Sequence, residues 1–157
     1  MNLHYLFAFA VGIGVVSGLR SLMAPAVVSW AAHLGWLNLH GSHLSFMEST
    51  LAAAIFSLLA IGELVADMLP KTPKRTAPAP LLAHILMGGL CGACLYVSAN
   101  HLLFIGALFG GIGGVIGAFG GYEIRRRLGN KLNVKDIFIA LFEDLIAIGL
   151  ACFLVSR

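Results

Sequence analysis

Apolar residues fill this chain in five long blocks, and the brevity of the polar stretches between them predicts the elements. The blocks run from Leu3 to about His33, from Phe46 to Leu69, from about Leu81 to Ala99, from Ile105 to Arg127 and from Asp136 to Val155. A helix of roughly 20 apolar residues spans a hydrocarbon core of about 30 Å. The pattern therefore predicts an all-α polytopic membrane protein with about five transmembrane helices in a single domain, 1–157. The first block, at about 46 Å if straight, exceeds what a bilayer requires. It should be tilted or broken near Gly18 to Pro25, because Pro25 removes a donor and frees the carbonyl of Ser21 one turn earlier. Arg20 sits in that weakened turn. Splitting the block into two short helices would give six crossings, but each half is short for a span, which favours five.

Glycine changes the picture of the fourth block. Gly106, Gly110, Gly113 or Gly114, Gly117, and Gly120 or Gly121 recur at steps of three and four. On a helix they form one bare stripe along which a second backbone can approach closely, as helices do in lipid. Gly14 and Gly18 in the first block, and Gly88 and Gly92 in the third, have similar spacing. Two short matches recur in the same order: Gly12–Gly18 resembles Gly111–Gly117, and Leu59–Gly62 resembles Ile146–Gly149. With five crossings each pair would run in opposite directions. That is the pattern of an inverted repeat relating helices 1-2 to helices 4-5, an arrangement frequent in transporters, although glycine-rich helices also match by chance.

Composition supports the same class. The chain is 59% hydrophobic and 11% charged, with a mean hydropathy of +0.94, against about one-quarter charged in soluble domains. The net charge of +3 does not indicate nucleic acid, because the basic residues cluster beside apolar blocks. Three lie in the loop after the second block and five between Arg125, at the end of the fourth, and Lys135, whereas the first and third loops have no Lys or Arg. The excess marks the second and fourth loops as cytoplasmic, which with five crossings puts the N-terminus in the cytoplasm and the C-terminus outside. Ala24-Pro25-Ala26 imitates a signal-peptide cleavage site, but the positive n-region is missing, so no cleavage is expected.

Arg20, Glu63, Asp67, Glu123, Glu143 and Asp144 are charges that an apolar chain does not keep idly, since each costs about 2.5–3.5 kcal/mol at the bilayer centre. Glu63 and Asp67 are four apart and share a helical face. Glu63 and Glu143 come to a similar depth from the basic loops, and two such carboxylates in low dielectric would share a proton. The competing reading is structural: Arg20 paired with Glu143 or Asp144, and Glu123 or Asp67 with the arginines 125–127. The CxxC of Cys91 and Cys94 lies inside an apolar block and reads as packing. His84 reads as interfacial, and His33, His40 and His43 as loop histidines without metal-ligand spacing. No phosphate loop or nucleophile triad appears, so neither an enzyme nor a cofactor or metal is expected.

Three stretches carry a family resemblance: Gly14 to Trp30 (GVVSGLRSLMAPAVVSW), Gly62 to Thr76 (GELVADMLPKTPKRT) and Ala140 to Ala151 (ALFEDLIAIGLA). In this order around a glycine-rich helix, they resemble the small bacterial membrane proteins grouped as domain of unknown function 4126. The resemblance implies a helical membrane domain and a short list of polar positions, without catalytic roles. The expectation is a small transporter or permeation protein of the bacterial inner membrane. Arg20, Glu63, Asp67, Glu143 and Asp144 would line the pathway of a small ion or polar solute, and Gly14, Gly18, Gly106, Gly110, Gly113, Gly117 and Gly121 would pack helices. Its surroundings would be the lipid bilayer and further copies of itself. The alternative is a non-transporting scaffold or assembly partner.

Overall fold

The computed structural model describes residues 3–67, 77–132 and 136–156, and side chains within 5–66, 77–127 and 144–156. The described chain is all-helical, with α1 Leu3–Leu19, α2 Met23–His33, α3 Thr50–Asp67, α4 Pro78–Ser98, α5 Leu103–Leu132 and α6 Asp136–Val155. A 3-10 turn, Ser45–Glu48, leads into α3. The break predicted between Gly18 and Pro25 falls at residues 20–22.

That break is a reversal, which corrects the five-helix expectation. Gly14 lies against Gly110 and Gly113, and Gly18 against Gly117 and Ala118, so α1 runs parallel to α5. The ring of Phe7 accordingly meets that of Phe109, with centroids 4.6 Å apart. The end of α1 thus lies far from the α4–α5 turn. Yet Asn38, soon after α2, donates its N–H to Ser98 Oγ at that turn, 3.1 Å away. α2 has come back along the bundle. Pro25 has no N–H to continue the ladder from Ser21, which weakens the helix here; the turn back is set by the partners that the freed backbone groups find.

The remaining directions follow from individual contacts. α3 is antiparallel to α2, because Leu22 meets Glu63 while Trp30 Nε1 donates to Ser57 Oγ at 3.0 Å. α4 is antiparallel to α5, with Gly92 against Gly106 and Gly88 against Gly110. Asp144 meets Arg20 and Leu154 meets Gly12, which makes α6 antiparallel to α1. The six helices alternate in direction, and α1 begins at the same end of the bundle as α6 finishes. The proposed relation of helices 1-2 to 4-5 fails on these directions: the two glycine-matched helices, α1 and α5, are parallel, whereas α3 and α6 are opposed.

Three backbones, α1, α4 and α5, form the tightest part. A Cβ on Gly14 or Gly92 would stand 2.9 Å from a neighbouring glycine Cα, and one on Gly18 would stand 2.5 Å from Gly117 Cα. Gly106, Gly110, Gly113 and Gly117 face backbone or Tyr96 in the same way, and Gly121 is buried. Large apolar side chains, among them Leu58 and Ile61 on α3, Leu108 and Ile116 on α5 and Leu145 on α6, remain exposed on the outside. Among the described residues two helices are long and apolar enough to cross a membrane, Pro78–Ser98 and Leu103–Arg127, and three shorter apolar helices accompany them. α5 continues past the arginines expected to begin a loop, to Leu132. Glu123 pairs one turn ahead with Arg127 at 2.7 Å, a spacing that supports a helix.

Adding a methyl group should separate the two kinds of glycine. Gly110→Ala is expected to lower the melting temperature in detergent by several degrees, because a Cβ there would strike the Gly88 carbonyl. Gly149→Ala, with nothing within 4 Å, should leave it unchanged or slightly raised. Equal melting temperatures for the two variants would refute the close packing.

Candidate functional site

The α1–α2 reversal interrupts a helical ladder, and the groups it releases can be followed one by one. In a continuous helix the N–H of Ser21 would donate to Ser17 O and that of Leu22 to Gly18 O. Both instead donate to one carboxylate, Ser21 N to Glu63 Oε1 at 2.9 Å and Leu22 N to Glu63 Oε2 at 3.0 Å. The Ser21 hydroxyl adds a third bond to Oε1 at 2.6 Å. The released carbonyl of Ser17 accepts from His84 Nδ1 at 2.7 Å, so that nitrogen carries a proton. Pro25 has no N–H for the carbonyl of Ser21, and Ser17 Oγ approaches it at 3.4 Å. The same hydroxyl lies 3.3 Å from His84 O, and its single proton serves one carbonyl at a time.

Arg20 occupies the turn itself and is 2% exposed. Its Nε donates to Asp144 Oδ1 at 2.5 Å and its Nη2 to Oδ2 at 3.2 Å, a fork-on-fork pair that orients both planar groups. Helix dipoles favour the arrangement as well: the Arg20 cation follows the C-terminal end of α1, and the Glu63 anion faces the N-terminal end of α2. Three further helices therefore hold the reversal, α3 through Glu63, α4 through His84 and α6 through Asp144. Ser17, Arg20, Ser21, His84 and Asp144 are buried, and Glu63 is half-buried.

The sequence-based candidates meet this site unevenly. Arg20 and Asp144 come together, the pairing weighed as the structural alternative. Glu63 caps backbone. The side chains of Asp67 and Glu143 lie outside the described residues, and with them the Glu63–Glu143 pairing. Glu123 sits at the far end of α5 with Arg126 and Arg127, 36% exposed. His84 was expected at an interface, but it is 3% exposed and belongs to the site. Ser17 and Ser21 were missed altogether. A signal existed: Ser17, Ser21 and Pro25 are spaced by four, so the two serines stand where Pro25 leaves the ladder short of a donor.

Chemically the cluster gathers two carboxylates, an imidazole and a guanidinium within an apolar bundle. Among the described residues, no buried side-chain nitrogen or oxygen lacks a hydrogen-bond partner. No group of three His, Cys, Asp or Glu is arranged to hold a metal among them.

These features define a class, a small all-helical protein with membrane-length apolar helices and a charged clamp on a reversed helix pair. The family follows from the match of residues 7–156 to the family model described as Domain of unknown function (DUF4126). The chain belongs to that family. No curated protein and no solved structure matches it.

Asp144→Ala should destabilise the fold in micelles by about 3–5 kcal/mol, since it removes the carboxylate from a buried ion pair. Pairing it with Arg20→Leu should cost less than the sum of the two single changes. Additive losses in denaturant titrations would show that the two side chains do not act as a pair.

Proposed function

We propose that this protein is a multi-pass inner-membrane protein with six crossings, acting as a small transporter or permeation protein for an ion or small polar solute. The observation that carries the reading is the interrupted helix pair held by protonatable side chains. Backbone that leaves its helical ladder at membrane depth is tolerated only where protein buries it or where it lines a cavity. In secondary transporters, backbone that has left its helix recurs at the solute and coupling-ion site. The apolar outer faces of α3, α5 and α6 suit contact with lipid. Eight of the ten Lys and Arg residues fall in sequence between α3 and α4 or from Arg125 to Lys135, and α3 and α5 finish at the end of the bundle where α4 and α6 begin. With that end cytoplasmic, six crossings place both termini outside, in contrast to the cytoplasmic N-terminus expected from five.

Glu63 would be the coupling group. Ionised, its two oxygens hold Ser21 and Leu22 at once; protonated, one oxygen becomes a donor and the bridge to both N–H groups is weakened. α2 and α3 would then be less firmly joined at this end, and a proton could be exchanged for a change in their packing. So small a bundle encloses little space, so further copies of the chain would complete a pathway. A second reading, a non-transporting scaffold, draws on the satisfied state of the buried polar groups described above. In that case Glu63 and Arg20–Asp144 are fastenings only.

Proteoliposomes carrying a pH-sensitive dye separate the two. A proton-linked flux that Glu63→Gln removes, while the variant melts lower but stays folded at the assay temperature, is the expected result; no flux across a panel of ions and metabolites leaves the scaffold. For topology, single cysteines replacing Asn2 and Ser42 should both react with an impermeant reagent from outside. Labelling at only one of the two would overturn six crossings.

A further inference from the structure

At the end of the bundle away from the arginines, the loop after α2 and the α4–α5 turn border an open surface cavity of about 320 Å³. Its lining is polar in an otherwise apolar protein: Asn38, His40 and Ser42 on one wall, Ser98, Asn100 and His101 on the other. We infer that this cavity binds a borderline divalent cation such as Cu²⁺, Ni²⁺ or Zn²⁺ between the imidazoles of His40 and His101.

Each imidazole is held by its surroundings. His40 Nδ1 lies 2.8 Å from Glu48 Oε2, and an ionised carboxylate only accepts, so Nδ1 carries a proton and, in the neutral ring, the lone pair is left on Nε2. The carboxylate is itself fixed, because its other oxygen accepts the N–H of Leu39 at 2.6 Å. A carboxylate that orients a histidine and sets its tautomer is the usual outer support of an imidazole metal ligand. His101 comes from the opposite wall, where its ring meets Tyr96 edge-on with centroids 6.1 Å apart. The walls are fastened to each other by the Asn38–Ser98 hydrogen bond, which fixes the relation of the two loops. Two imidazoles with neutral oxygen neighbours, and no thiolate or carboxylate in the lining, favour this class of cation over calcium or magnesium. No group of three histidine, cysteine or carboxylate side chains is placed to hold a metal among the described residues, so the positions left by the two imidazoles would be filled by water.

The test uses the full chain in nanodiscs, titrated with CuCl₂, with ZnCl₂ in a parallel calorimetric series. The copper electron paramagnetic resonance spectrum should report two imidazole nitrogens, an observation that needs no variant. His40→Ala and His101→Ala should each weaken binding at least tenfold. Glu48→Gln, which keeps both ligands, should weaken it several-fold. Affinity should fall as pH is lowered, because a protonated imidazole cannot ligate. A one-nitrogen spectrum, binding indifferent to His101→Ala, binding lost instead with His4→Ala beside the terminal amine, or a cavity that takes an uncharged polyol but no metal would each overturn the inference.

Discussion

The carboxylate of Glu63 on the start of α2 is the contact on which the rest of this structure depends. A peptide N–H left without a partner in apolar surroundings costs about 1–3 kcal/mol, and a carbonyl about as much. The reversal at residues 20–22 releases several such groups at once. Without partners it would be more costly than a straight helix, and the chain would have no reason to turn. Because Glu63 takes two N–H groups, α3 has to lie along α2. Because His84 takes the Ser17 carbonyl, α4 has to pass beside the end of α1. Asp144 brings α6 to the same point to neutralise Arg20. The arrangement of five helices is in this sense a solution to the hydrogen bonding of one turn.

Close packing is what brings these side chains within reach. His84 bonds the backbone of α1 directly, over 2.7 Å, only because Gly14 and Gly88 allow α1 and α4 to approach and α5 fits against both. The glycine stripe of α5 has no chemical group of its own. Its contribution is distance: replacing hydrogen with methyl along it would push α1 and α4 outward and stretch the bonds at the turn. The organising helix and the polar site are therefore consecutive links of one chain of causes.

Much of this could be read from the residues. The five apolar blocks, the break between Gly18 and Pro25, and the choice of Arg20, Glu63 and Asp144 as groups needing partners all rest on local rules of helix chemistry and burial. What could not be read is direction. A proline four residues after a serine weakens the ladder in the same way whether the chain then bends or turns back, and the decision belongs to contacts made by Glu63, 41 and 42 residues distant from Leu22 and Ser21. The repeat failed for the same reason, as the glycine match between α1 and α5 reflects two stripes packed on each other in parallel. His84 was misplaced because an imidazole beside a basic loop looks interfacial until the helix it faces is known. The helical continuation of α5 past Arg127 to Leu132 was obscured by reading charge as the end of a helix, although Glu123 stands at the right spacing to support the turn that holds the arginines.

The reversal also connects the two ends of the molecule. α2 is fastened at its start by Glu63 and further along by Trp30 to Ser57, so α2 and α3 form one packed pair, while α1, α4 and α5 form a glycine-packed group. The loop that follows α2 supplies Asn38, His40, Gly41 and Ser42 to one wall of the far cavity, and the opposite wall, from Val97 to His101, belongs to the α4–α5 turn. The cavity thus lies across the seam between those two groups, and the clamp lies on the same seam at the other end of α2. A cation joining His40 to His101 would favour arrangements in which the walls are close, and Glu63 favours arrangements in which α2 is held at its start. Each can influence the other only to the extent that it binds one arrangement better than another. A helix of 11 residues, fixed at both ends and packed along its length, is a short and stiff element through which such a preference can pass.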